Sequence, residues 1–74
     1  MAKHPIAKTI AKNLRTLRIS KGFTQTRLAQ LAGCHLRYVQ DIEAGERNPT
    51  VGVVQQLKRA LGCGWADLLD KPAR

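Results

Sequence analysis

Gln25-Thr26-Arg27-Leu28-Ala29-Gln30-Leu31-Ala32-Gly33-Cys34-His35-Leu36-Arg37-Tyr38-Val39-Gln40-Asp41-Ile42-Glu43 is the stretch whose reading decides the fold. Leu28, Ala29 and Leu31 recur at helical spacing, with Thr24 placed as an N-cap and Gly33 as the stop. Arg27 stands where a capping box would place Glu. A second helix follows within a few residues, with Val39 and Ile42 facing inward. Helices joined this tightly cross steeply rather than pack as a long antiparallel hairpin. Such a crossing needs a small residue at the closest approach, and Ala29 supplies it. It needs a turn residue that accepts positive φ, and Gly33 does so without steric cost. It also needs branched apolar residues on the facing helix, which are Val39 and Ile42.

Working outward, Ile6, Ile10, Leu14 and Leu17 fall four, four and three residues apart and mark one face of a first helix. Lys8, Lys12 and Arg15 lie off that face. This helix starts either with Pro5 in its first turn or with Thr9 as a cap, and Gly22 ends it. Beyond the central pair, Asn48-Pro49-Thr50 reads as a loop ending in an N-cap. Val51, Val54, Leu57 and Leu61 then give a fourth helix stopped by Gly62. Trp65, Leu68 and Leu69 give a short fifth helix, and Pro72 closes the chain. No segment alternates as a strand, and there is no repeat or linker. The expectation is an all-α domain of five short helices spanning residues 1–74, with residues 1–5 and 70–74 as tails.

A chain of 74 residues holds one such domain, and 43% hydrophobic residues are enough for its core. Aromatic residues are only 4%, so that core is aliphatic. No apolar run reaches membrane-spanning length, and the N-terminal stretch lacks the apolar block of a signal peptide. Two cysteines do not make a disulfide scaffold. The net charge is +8 and its distribution is uneven. Residues 1–40 carry Lys3, Lys8, Lys12, Arg15, Arg18, Lys21, Arg27 and Arg37 without one acid, whereas later cations are matched by acids. That asymmetry suits a polyanion, nucleic acid before anionic lipid, although a basic surface kept for solubility has the same composition.

The segment Gln25 to Gly33, continued by Ile42-Glu43-Ala44-Gly45-Glu46-Arg47-Asn48-Pro49-Thr50, resembles the phage-repressor-like helix-turn-helix regulators. These include the lambdoid repressors and Cro proteins, xenobiotic-response-element type regulators and restriction–modification controller proteins. The resemblance runs from about Ile10 to Leu69. It implies a compact five-helix, lambda-repressor-like domain whose helix-turn-helix, at about residues 25–44, meets duplex DNA, usually as a two-fold dimer. The chain departs from the pattern at Arg27, usually acidic, and at His35 and Gly64, where Ser or Thr commonly caps a helix.

With Val39 and Ile42 inward, the third helix leaves His35, Leu36, Arg37, Gln40, Asp41 and Ala44 on or near its outer face. The resemblance implies that the N-terminal part of this helix enters the major groove. Arg37 is the strongest guanine reader, because its planar fork matches O6 and N7 together. Gln40 suits adenine or a phosphate, and Leu36 suits a thymine methyl. Asp41, four residues beyond Arg37, either accepts from cytosine or braces the guanidinium; repulsion by phosphates favours bracing. An ordinary exposed i,i+4 pair explains the same spacing.

Other residues position the domain. Thr24 and Gln25 begin the second helix, where free N–H groups favour a phosphate. For Thr24 the cap is the better reading, while the resemblance makes Gln25 a backbone contact. Arg47 and Asn48 are phosphate candidates beyond the third helix. Arg27 and Lys21 either contribute at range or are only solvated. Tyr38 reaches a phosphate or lies partly buried. The resemblance further implies an ion pair between Arg18 and Glu43 that ties the first helix to the third.

Catalysis has little support, since His4 lies in the tail and His35 has no nucleophile and acid arranged with it. Cys34-His35 lacks two further ligands for zinc, and no phosphate loop is present. No cofactor, metal or small-molecule ligand is expected, and Cys34 and Cys63 read as reduced thiols of a cytoplasmic protein on the nucleoid. The resulting expectation is a sequence-specific, double-stranded-DNA-binding transcriptional regulator, not an enzyme. It would dimerise through the fourth and fifth helices, with Trp65 either as anchor or in the core. The runner-up is a protein-interaction module such as an antitoxin paired with a toxin. A membrane-surface binder is weaker, because the core needs the apolar stripe of the first helix.

Overall fold

The computed structural model describes residues 5–70. Five helices follow in order: α1 (Pro5–Ser20), α2 (Gln25–Ala32), α3 (Leu36–Glu43), α4 (Val51–Leu61) and α5 (Trp65–Leu69). Pro5 opens α1, which decides the start in favour of proline in the first turn and places residue 5 in the helix rather than in a tail. Residues 1–4, including His4, and residues 71–74, including Pro72, lie outside the described residues.

Helix ends follow the local chemistry read from the sequence. Thr24 Oγ1 accepts the Arg27 backbone N–H at 3.0 Å, and Thr50 Oγ1 accepts that of Val53 at 3.2 Å. At the end of α2, Gly33 adopts φ 75°, and the following Cys34 N–H reaches back to the Ala29 carbonyl at 3.0 Å. The chain thereby turns sharply into α3. His35 holds the N-cap position of α3 without a side-chain cap bond. Gly64 has no side chain to cap α5, but Asp67 accepts the Gly64 N–H at 2.8 Å.

The core is aliphatic, as the composition requires. Leu14, Leu28, Val39, Ile42, Leu57, Leu61 and Leu68 are shut off from solvent, with Ala29 buried where α2 meets α3. Helix α1 packs on α3 and α5, and α2 packs on α3 and α4.

Four inward assignments need correction. Ile6, Leu31 and Val51 are exposed, and Leu17 is only half-buried. In α1 the buried stripe runs through Ala7, Ile10, Ala11 and Leu14, so small residues as well as branched ones face the core. Val51 opens α4 and is itself exposed, while Val53 and Val54 after it turn to the core. Buried Asn13, which the apolar periodicity passes over, is a tie between helices. Its Nδ2 donates to the Leu68 carbonyl at 2.8 Å and the Asp70 carbonyl at 2.7 Å, satisfying acceptors at the end of α5.

Candidate nucleic-acid interface

Helix α3 has two chemical sides. Val39 and Ile42 anchor it in the core, while His35, Leu36, Arg37, Gln40 and Ala44 are exposed. Four of the sequence-predicted base readers, His35, Leu36, Arg37 and Gln40, are thus open to solvent. Asp41 is partly covered.

The inner side is fastened by ionic bonds. Arg18 meets Glu43 through two bonds, Nε to Oε2 at 2.6 Å and Nη2 to Oε1 at 3.1 Å. Their side chains are only 12% and 3% exposed. Nη1 of Arg18 also donates to the Phe23 carbonyl at 2.8 Å, so the same guanidinium holds the loop that leads to α2. Gln25 completes the set, with Nε2 donating to Glu43 Oε1 at 3.1 Å. The expected tie between the first and third helices is present, and α2 joins it. Bidentate geometry and full use of the carboxylate make this a rigid support for the recognition surface.

The outer side is looser. Arg37 Nε donates to Asp41 Oδ1 at 3.1 Å, with side chains 81% and 23% exposed. Arg37 and Asp41 thus form the i,i+4 pair that their spacing allows. The other Asp41 oxygen accepts from Arg47 Nη2 at 3.4 Å. The Arg47 guanidinium also lies over the Tyr38 ring, 4.5 Å from its centroid, and Tyr38 is half-buried against the core. Sequence reasoning missed this meeting of Arg47 with Asp41 and Tyr38, because Arg47 lies beyond the end of α3. A left-handed Gly45, φ 74°, folds the chain back, and the Glu46 N–H closes the turn on the Asp41 carbonyl at 2.9 Å. The Gly45-Glu46 pair was the one sequence signal for such a reversal.

Among the phosphate candidates, the hydroxyl of Thr24 is used as a cap and Arg27 is exposed, within 3.5 Å of Gln30 Oε1. Asn48 is exposed in the loop before α4. Burial pushes the Cys34 thiol above its ordinary pKa, and burial together with the nearby Asp67 carboxylate does the same for Cys63. Both stay protonated at neutral pH and are weak ligands and nucleophiles. Among the described residues no three His, Cys, Asp or Glu side chains come together as a metal site. No described helix is long and apolar enough to cross a membrane.

Comparison with known proteins agrees with this architecture. A family model described as helix-turn-helix matches residues 14–68. An HTH-type transcriptional regulator of Sinorhizobium fredii, y4dJ, is 36% identical over 62 residues, covering 84% of this chain and 80% of the relative. Control protein C.BamHI of Bacillus amyloliquefaciens is 37% identical over 60 residues, covering 80% and 74%. The crystal structure of the restriction–modification controller protein C.AhdI from Aeromonas hydrophila superposes with a TM-score of 0.83 at 32% identity, covering 88% of this chain and 98% of that one. The chain belongs to the helix-turn-helix family of transcriptional regulators.

Proposed function

We propose that this chain binds operator DNA as a two-fold dimer and regulates transcription, with α3 in the major groove. The observation that carries this reading is the outward guanidinium of Arg37 on a helix locked from behind by Arg18, Glu43 and Gln25. Because Asp41 occupies its Nε, both terminal nitrogens of Arg37 are left to meet guanine O6 and N7. His35, Leu36 and Gln40 share that surface and are the further candidates for base edges. Arg47 and Asn48 flank it as phosphate contacts, with Arg27 more remote. Gln25 contributes its carbonyl end or its backbone, since its amide is turned to Glu43. The charge excess of the first forty residues supplies the field that draws the duplex in.

The proposed dimer contact is supported by an apolar groove where Ile6, Val51 and Trp65, all exposed, meet Pro49 and Leu69. On this reading the contact uses α4 and α5, with the start of α1 added. The role of Trp65 is then that of an anchor rather than a core residue. The reading assigns the chain no catalysis and places it in the cytoplasm. Kinship with control proteins and HTH-type regulators favours an operator over a toxin as its main partner.

Selection of bound duplexes from a random pool tests the proposal. The expected product is a near-palindrome with half-sites about one helical turn, ~34 Å, apart. Enrichment of nothing, with no retardation of any duplex at low salt, would remove the DNA-binding reading. A strictly 1:1 complex on sites lacking an inverted repeat would remove the dimer.

A further inference from the structure

We infer that Asp41 is a specificity-determining residue of this interface: it withholds two cations from arbitrary phosphates and presents one of them to guanine. The inference rests on the duplex-binding reading and adds a means of discrimination to the same site. Of the two acids in α3, Glu43 is turned inward to Arg18, and Asp41 serves the outward cations. One carboxylate thus divides itself between two guanidinium groups, Oδ1 with Arg37 at 3.1 Å and Oδ2 with Arg47 at 3.4 Å.

The two bonds differ in what they leave free. Arg37 gives up only Nε, so its terminal nitrogens project as a fork already aligned for a guanine edge. The brace and the base contact coexist. Arg47 gives up a terminal nitrogen, and one face of its guanidinium is covered by the Tyr38 ring. For Arg47 to grip a phosphate closely, this arrangement has to loosen. On a duplex without guanine in register, both cations stay partly neutralised, and the carboxylate itself repels the backbone. Asp41 therefore lowers affinity for all DNA, and at the right base the aligned fork restores it. Such a repulsive element makes specificity a difference between sites rather than a gain at one.

Asp41→Asn removes the charge with little change of shape. Titrations should use a random-sequence duplex and the duplex enriched by wild-type selection, at several salt concentrations. The variant should bind the random duplex about threefold to tenfold more tightly at low salt, with a log–log salt slope steeper by about one unit per subunit. Affinity for the enriched duplex should change little, so that the ratio between the two falls by about threefold to tenfold. Asp41→Ser, neutral and shorter, should behave alike; agreement of the two excludes a new bond made by the asparagine amide. In an Arg37→Ala background, Asp41→Asn should no longer alter the preference at the guanine position, a readout that general loosening of the fold would not reproduce. If both Asp41 variants keep the wild-type ratio and slope, Asp41 is an ordinary surface acid, although the duplex-binding reading stands. If wild-type protein retards neither duplex, that reading and this inference fall together.

Discussion

Two arginine–carboxylate pairs lie on opposite sides of one helix, and they perform different work. Arg18 and Glu43 sit out of water, with every oxygen of Glu43 engaged and a third guanidinium nitrogen on the Phe23 carbonyl. Arg37 stands in water and Asp41 partly so, joined by one bond of 3.1 Å, with donors left over. Charge type and approximate distance are shared; burial differs. In the first pair, desolvation makes partnership compulsory, because a lone charge left behind is costly. In the second, water competes for either partner, so the bond adds little stability and leaves the terminal nitrogens of Arg37 free for a ligand. A recognition helix benefits from both, held firmly behind and lightly in front.

The largest expected effect attacks the inner pair. Glu43→Ala should destabilise the domain by about 3 kcal/mol, since it leaves the largely buried Arg18 guanidinium without its carboxylate, with only the Phe23 carbonyl as partner. For a domain of this size that corresponds to a fall in melting temperature of roughly 12–24 °C. Arg18→Ala should act in the same direction and weaken duplex binding as well, because α3 loses its backing. Replacing both with apolar residues, Arg18→Met with Glu43→Leu, should recover much of the lost stability. Thermal melts of the three variants and of wild type decide it. A loss below about 1 kcal/mol for either single variant would place this pair with the exposed one and dissolve the contrast.

A second buried polar tie sharpens the same point without charge. Asn13→Ala leaves the Leu68 and Asp70 carbonyls without their donor, which should cost about 1–3 kcal/mol. Amide exchange in α5 should accelerate more than in α3. Uniform acceleration would show that Asn13 supports the whole fold rather than the docking of one helix.

Much of this architecture was legible in the sequence because the relevant forces are local. Thr24, Gly33, Thr50 and Gly62 mark helix ends through bonds to residues only a few positions away, and each does so in the structure. The outward row of α3 was legible too, since helical spacing fixes which side chains share a face. What escaped depended on contacts between distant segments. Asn13 finds its acceptors 55 and 57 residues away, where no periodicity points. Arg47 comes to Asp41 only because the backbone reverses at Gly45. Val51 and Ile6 read as core by spacing, yet they end in a surface groove, because an apolar stripe does not say whether its partner is the same chain or another. The Arg18–Glu43 pair came from family resemblance rather than from spacing, and the structure supplies its geometry.

On the outer side the expected effects concern affinity more than stability. Arg37→Ala should cost ~1–3 kcal/mol on the selected duplex and relax the preference at one base position per half-site. Arg47→Ala should weaken binding to all sequences alike and make the salt slope shallower by about one unit per subunit. Both variants should melt close to wild type. Titration on single-base variants of the selected duplex separates the two roles. Uniform loss by Arg37→Ala with every preference intact would make it a phosphate contact. Specificity would then rest with His35, Leu36, Gln40, Asp41 or duplex shape.

The smallest effect is the most direct measure of the contrast itself. A double-mutant cycle on Arg37 and Asp41, each changed to Ala, should give a coupling of about 0.3–0.5 kcal/mol at low salt. That coupling should shrink toward zero near 1 M salt, where the screening length of roughly 3 Å falls to the length of the pair. The same cycle on Arg18 and Glu43 should return a coupling several times larger that barely responds to salt, because mobile ions do not enter the space between groups so little exposed. Urea titrations at two ionic strengths measure all four couplings. The informative comparison is the salt response rather than the absolute size, since truncation also removes packing. A salt-insensitive coupling between Arg37 and Asp41 would mean that their bond is shielded from solvent despite the exposure of Arg37. The outer side would then be as firmly set as the inner, and the contrast between the two pairs would fall.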